Sequence, residues 1–231
     1  MIDLTNTEII ENKGIKALVR NETSDSFVLK EVTSGEYNKL NILPTDVVVD
    51  FGLNIGIFSI LAMHRGAKEI HSYEAEKENF HMAQYNLKLN EFTENVYLNN
   101  MAVIGDDDVT RPFHLNKHKN KGAHSLLYKK GRKGQVVTCI NINKVFESVK
   151  PTVVKMDIEG GEYEAIKAVK SFSGIREFIL EFHHSHLNDF GHHIKYKEIL
   201  EILRKNFKTV HAREDTKEAW VSIIYCENAN D

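Results

Sequence analysis

The chain predicts an α/β fold, a mostly parallel sheet with helices on its faces, and three observations carry that prediction. Strand-like segments that end in an acid recur at 47–50, 69–74 and 153–157, the first and last of them rich in valine. Each runs into a turn and then into residues whose apolar side chains have helical spacing, the pattern of βαβ units. The last two strand-like segments, 208–213 and 220–226, are joined by a link too short for a crossover. They therefore close the sheet as an antiparallel hairpin, with one antiparallel strand near its edge.

One domain accounts for 231 residues at 42% hydrophobic and 27% charged composition. Within it, residues 1–43 form an N-terminal hairpin or lid segment and 44–231 the main domain. The chain shows neither a long apolar run nor a basic-then-apolar leader, so a cytoplasmic protein that does not engage a membrane is expected. Cys139 and Cys226, far apart in sequence, fit reduced thiols better than a disulfide framework or a zinc site. The sequon Asn21-Glu22-Thr23 is then accidental. The net charge of −3 argues against a surface coated in phosphate contacts. The charge is uneven, however. From Arg111 to Gly134 there are eight Lys or Arg and no acid, which leaves −11 on the rest of the chain.

Residues 15–20 and 27–32 alternate well enough for two strands, joined by the polar turn 21–26 into a hairpin ahead of the main fold. Pro44 then marks the start of the first core strand. Val47-Val48-Val49-Asp50-Phe51-Gly52-Leu53-Asn54-Ile55-Gly56 reads as that strand entering a tight turn. Gly52 and Gly56 let the backbone bend sharply and let a ligand approach the main chain, while Asn54 tolerates a left-handed conformation between them. Asp50, at the strand end, can accept hydrogen bonds from a cationic ligand. A helix over 57–65 stops at Gly66, and the strand 69–74 ends in Glu74. Glu74 lies 22 residues after Gly52, near the spacing at which a βαβ unit brings an acid to ribose hydroxyls. An acid in the glycine turn would repel a pyrophosphate and suits an aminoacyl group or a sulfonium. S-adenosylmethionine (SAM) therefore fits better than NAD.

A second helix over 77–90 and a third strand at 96–98 follow. Residues 99–103 then reach the height at which an adenine would lie, which makes Ala102 a cofactor contact. Asp106-Asp107-Asp108 reads as a solvated turn, 135–140 as a further strand and 141–148 as a short helix. The second motif is Val153-Val154-Lys155-Met156-Asp157-Ile158-Glu159-Gly160-Gly161-Glu162. Strand alternation puts Asp157 and Glu159 on one side of the carboxyl end, where open α/β sheets hold ligands. In the next strand, 178–184, Glu181 and His183 share a face. A helix over 194–207 precedes the closing hairpin. The histidines at 183, 184, 186, 192 and 193 read as a solvated loop after the strand rather than a transition-metal site.

These motifs resemble the FkbM family of class I SAM-dependent methyltransferases, from about Gly35 to the end. The carriers are Gly35-Glu36-Tyr37, the turn from Asp50 to Gly56, Tyr73-Glu74-Ala75, Asn100-Met101-Ala102-Val103 and, most specific, Lys155-Met156-Asp157-Ile158-Glu159-Gly160-Gly161-Glu162. The resemblance implies a Rossmann-like, seven-stranded sheet with SAM over the first two strand ends and methyl transfer, usually to oxygen. By position it puts Asp50, Gly52, Asn54 and Gly56 on the aminoacyl side and Glu74 on the ribose. Phe51 and Leu53 stand where smaller aliphatic residues are more usual, and Gly161 where an alanine often does.

Methyl transfer from a sulfonium is an in-line displacement, so a hydroxyl acceptor needs a base or a metal beside the methyl group. Asp157 is the first candidate base and His183 the second, with Glu159 or Glu181 as partners. Asp157, Glu159, Glu181 and His183 could instead hold a divalent metal, although none is expected. Glu159 and Glu162 could equally cap the following helix. The basic segment 111–134 could cover the substrate and would favour an anionic acceptor such as a nucleotide sugar, a phosphorylated glycan, an acidic peptide or RNA. RNA would also call for stacking aromatics, and only Phe113 and Tyr128 are interleaved. The expected reaction is therefore O-methylation of a small-molecule or glycan-like hydroxyl. RNA binding or methylation comes second, and peptide N-methylation third.

Overall fold

The chain opens with a hairpin in which β1 (Thr7–Asn12) and β2 (Ile15–Arg20) pair antiparallel. Its two turn residues, Lys13 and Gly14, have φ of +50° and +82°, as a two-residue hairpin connection requires. The computed structural model describes residues 4–35, 37–116, 119–127, 133–184, 192–212 and 220–228. Sequence alternation predicts a strand at 27–32, but these residues lie in α1 (Asp25–Ser34). Leu29, Val32 and Thr33 are buried on one side of it, a spacing of three and four that belongs to a helix. Asp25 starts that helix by accepting hydrogen bonds from the Arg20 backbone N–H and guanidinium.

β3 (Val47–Phe51), α2 (Ile57–His64), β4 (Glu69–Tyr73), α3 (Lys77–Leu89) and β5 (Val96–Asn99) follow as two βαβ crossovers. Next come β6 (Ala102–Ile104), β7 (Thr110–Leu115) and β8 (Lys133–Asn141), which form a separate three-stranded sheet in the order β6-β8-β7. The strand expected at 135–140 therefore exists but lies outside the main sheet. α4 (Ile142–Val149), β9 (Val153–Met156), α5 (Glu162–Ala168), β10 (Glu177–His183), α6 (His192–Asn206), β11 (Thr209–Ala212) and β12 (Val221–Glu227) complete the described chain.

The main sheet has seven strands in the order β11-β12-β10-β9-β3-β4-β5. β3, β4, β5, β9 and β10 are mutually parallel, and β12 runs antiparallel to both β10 and β11. This is the predicted Rossmann-like arrangement with its closing antiparallel hairpin. From β3 the chain moves outward through β4 to β5, then returns to the other side of β3 as β9. The strand order reverses there, and open α/β sheets bind ligands outside the carboxyl ends of the strands at such a point.

Alternation along the central strands feeds two cores. Val48, Ile70, Val153 and Ile179 face α2, α3, β2 and α1, whereas Val49, Val154, Met156, Phe178 and Leu180 face α4, α5 and α6. Ile15, Leu18, Val19, Leu29 and Val32 of the N-terminal segment belong to the first of these cores. Among the described residues no helix is long and apolar enough to cross a membrane.

Candidate active site

The site begins where β3 and β9 end side by side. Gly52 has φ +84°, and a Cβ there would lie 1.7 Å from the Asp157 carbonyl oxygen, so only glycine fits. Asn54 adopts φ +52°, the left-handed conformation expected of it. Gly56 has φ +91°, and a Cβ there would lie 3.1 Å from Ala83 Cβ of α3. Asp50 is fully buried beneath the turn and does not reach the cleft wall. Its Oδ2 accepts the Ser59 hydroxyl at 2.7 Å, and the Lys155 ammonium lies 3.1 Å from Oδ1.

Glu74, at the end of β4, faces this turn. It accepts the Asn54 N–H at 2.8 Å on one oxygen and the Glu76 N–H at 2.7 Å on the other. Burial pushes its pKa up to about 7, against the pull of those two N–H donors. Both oxygens retain lone pairs for further donors.

Two cavities meet here. One, about 840 Å³ with its open mouth included, has mixed walls, on which Asn54, Lys155, Asp157, Glu159, Glu181 and His183 stand beside Val28, Leu53, Ile57 and Phe58. The other, about 440 Å³, is mostly apolar and includes Met101, Ala102, Val103, Phe113, Leu126 and Ile158. Gly52, Glu74 and Asp157 belong to both. In the first the Oδ1 atoms of Asn54 and Asp157 are buried without a hydrogen-bond partner among the described residues. Helix α1 forms the outer wall through Ser24, just before it, and Phe27, Val28 and Glu31. Phe27 is exposed at that mouth.

Asp157, Glu159 and His183 converge. His183 Nε2 is 3.7 Å from Asp157 Oδ1 and 3.5 Å from Glu159 Oε2. Its Nδ1 is 3.0 Å from the buried Glu162, which also accepts the N–H groups of Ile158 and Gly160. Glu162 thus fixes both the turn after β9 and the imidazole, whereas Glu159, at φ +55°, turns its side chain into the cluster rather than capping the helix. Burial disfavours a charged imidazole, but Glu162, then Glu159 and Asp157, outweigh it and raise the His183 pKa well above its ordinary value. Glu181, grouped with these residues on sequence, stands apart and accepts the Tyr37 hydroxyl at 2.9 Å.

Lys155 is the buried cation of the site. It donates to the Gly52 carbonyl at 2.7 Å and lies 5.9–6.0 Å from the ring centroids of Phe58 and Tyr37. Burial opposes its charge, but Asp50, Asp157 and Glu181 hold its pKa above the usual value. Sequence reasoning assigned Lys155 no role, although a lysine in an otherwise apolar strand is a signal that could have found it. Tyr37 and Glu162 carried no comparable signal beyond their place in the motifs, and Phe27 was masked by its reading as a strand residue.

Part of the basic segment covers the cleft. Ser24 N–H donates to the Lys119 carbonyl, Asn79 Nδ2 to the Lys121 carbonyl, and Ser125 Oγ to the Glu159 carbonyl at 2.7 Å. Ser125 and His124 are buried. Two of the segment's described cations are engaged elsewhere. Arg111 is held by Asp106, Asp108 and Glu164, and Lys119 lies beside Glu22. Tyr128, Lys129, Lys130 and Arg132 lie outside the described residues, as do His186 and Glu36.

This sheet order, with a glycine turn and an acid at adjoining strand ends, defines a Rossmann-like class I methyltransferase fold. Solved structures similar to it include the SAM-dependent methyltransferase from Agrobacterium tumefaciens, with a TM-score of 0.55 at 11% identity over 98% of this chain and 72% of that one. Another is TYW2 from P. horikoshii, in complex with MeSAdo, with a TM-score of 0.51 at 12% identity over 96% of this chain and 70% of that one. At such identities the likeness is one of fold. No curated protein matches the sequence. The Methyltransferase FkbM domain model matches residues 50–208, more than half of the chain, and the protein belongs to that family.

Proposed function

We propose that this methyltransferase transfers the methyl group of SAM to a hydroxyl of an uncharged small-molecule or glycan-like acceptor in a reducing, cytoplasmic setting. The observation that carries the reading is the two-lobed cleft joined at Gly52, Glu74 and Asp157. SAM has the same division, an apolar adenine and a charged aminoacyl end, with the ribose between them. Ala102, Val103 and Ile158 fit the adenine, and Glu74 the ribose hydroxyls. The unpartnered Asn54 Oδ1 fits the ammonium. The two free, buried cysteines support the setting.

When bound, SAM supplies an electrophilic methyl on sulfur. Asp157 then accepts the proton of the acceptor hydroxyl as its oxygen closes on that methyl, because its carboxylate stands where the two lobes of the cleft meet. His183, which carries a proton of its own, positions Asp157 and Glu159 rather than acting as the base. Lys155 holds the Gly52 carbonyl and so the shape of the turn. Among the described residues, Glu31, Glu74, Asp157, Glu159 and Glu181 on the walls face only Lys155 and His183 as cations. That balance suits the sulfonium and an uncharged acceptor better than a polyanion.

Transfer of isotopically labelled methyl from SAM tests this directly. Label should enter neutral polyols, glycosides and hydroxylated small molecules as an acid- and base-stable ether. Label entering only RNA or only peptide amides would overturn the acceptor class.

A further inference from the structure

Resting on that reading of the site, we propose that Asp157, Glu159 and His183 bind a divalent cation, Mn²⁺ or Mg²⁺, that orients and acidifies the acceptor hydroxyl. The three donor atoms lie within 4.8 Å of one another. The separations from His183 Nε2, 3.5 and 3.7 Å, are too long for hydrogen bonds. Two adjacent donors that each bond one octahedral ion at about 2.1–2.2 Å stand roughly 3.0 Å apart, and further apart as the angle between them opens beyond about 90°. The gap is therefore the size of a shared ion, and a small rotation of one carboxylate completes the triangle.

A second observation comes from behind the cluster. His183 Nδ1 is engaged by Glu162 at 3.0 Å, and Glu162 is itself fixed by two backbone N–H groups. A ligating histidine characteristically has its other ring nitrogen held by a carboxylate in this way, which aims the ligating nitrogen. The third is Asp157 Oδ1, a buried carboxylate oxygen with no hydrogen-bond partner among the described residues. One imidazole and two carboxylates, with no thiolate among them, favour Mn²⁺ or Mg²⁺ over softer metals. Three protein donors leave positions open towards the cleft for the acceptor oxygen and water. Binding displaces the proton on His183 Nε2 to solvent. The acceptor O–H then breaks, its proton passing to the carboxylate oxygen of Asp157 that is not on the ion. The O–CH₃ bond forms as the S–CH₃ bond of SAM breaks, leaving S-adenosylhomocysteine and a methyl ether.

The test is Mn²⁺ titrated into the full chain and followed by electron paramagnetic resonance, since bound Mn²⁺ loses the six-line signal of the aqueous ion. The native chain should bind one Mn²⁺ with ¹⁴N coupling from an imidazole, and Mg²⁺ should compete. Asp157→Asn and Glu159→Gln should each weaken binding at least tenfold, and His183→Gln should remove the coupling. Asp107→Asn, in the exposed acidic turn, should leave the affinity unchanged. Should a variant fail to melt cooperatively, the ¹⁴N coupling of the native protein decides alone. Unattenuated Mn²⁺ signal with the native chain, or binding that follows Asp107 instead, overturns the site. S-adenosylhomocysteine calorimetry on the same samples separates the two claims. Nucleoside binding without Mn²⁺ binding removes the metal only, whereas Mn²⁺ binding without nucleoside binding removes the donor assignment only.

Discussion

Glu74 shows how one carboxylate can join stability to binding. Its folded pKa of about 7 exceeds the ordinary 4.5, so between those values the folded state holds more protons than the unfolded one. The contribution of Glu74 to stability is therefore fully present below about pH 4.5. It falls by up to about 3 kcal/mol as pH rises through 7. Chemical denaturation from pH 5 to 8 should show this decline, and Glu74→Gln should flatten it. Ribose hydroxyls donate best to the ionised form, so affinity for S-adenosylhomocysteine should rise with pH through 7 in the native protein and not in Glu74→Gln. Gly52 makes a blunter prediction. With φ +84° and Asp157 O 1.7 Å from any Cβ, Gly52→Ala should cost at least about 3 kcal/mol, read as a lower urea midpoint, and abolish nucleoside binding. Gly52, Asn54 and Glu74 were legible in sequence because backbone conformation and strand-end spacing are local properties. The burial of Asp50 was not, because it depends on Ser59 and on a lysine about a hundred residues away.

At the scale of elements, helical spacing and short turns announced α2, α3, β9 and β10 almost to the residue. α1 was misread because Phe27, Leu29 and Glu31 also alternate. The conflict is settled by tertiary packing of Leu29 and Val32 and by the Arg20–Asp25 pair, neither of which a local pattern encodes. The cover over the cleft was equally hidden, since a run of lysines says nothing of Ser125 beneath it. Ser125→Ala removes a buried hydrogen bond to Glu159 and should cost about 1–2 kcal/mol. Hydrogen exchange should then speed up at 119–127 while β3 and β9 stay protected. Unchanged exchange there would mean that the segment is held by other contacts. Phe27→Ala should raise the acceptor KM about tenfold and leave the S-adenosylhomocysteine Kd within twofold, because the ring stands exposed at the mouth, outside the apolar lobe that fits the adenine.

On the scale of the whole molecule, the N-terminal hairpin and α1 are both core and wall. Burial of Ile15, Leu18, Val19, Leu29 and Val32 contributes on the order of 10 kcal/mol, comparable to the net stability of a whole domain. A chain lacking residues 1–34 should therefore give no cooperative thermal transition. The sheet reversal between β3 and β9 fixes where the cleft lies, and the acids gathered there set its charge. Those two facts make the donor the central claim. Isothermal calorimetry of S-adenosylhomocysteine with the native chain and with Glu74→Ala tests it most directly. The account predicts one site per chain with affinity lost at least tenfold in the variant. A folded native chain that binds neither S-adenosylhomocysteine nor SAM would contradict it.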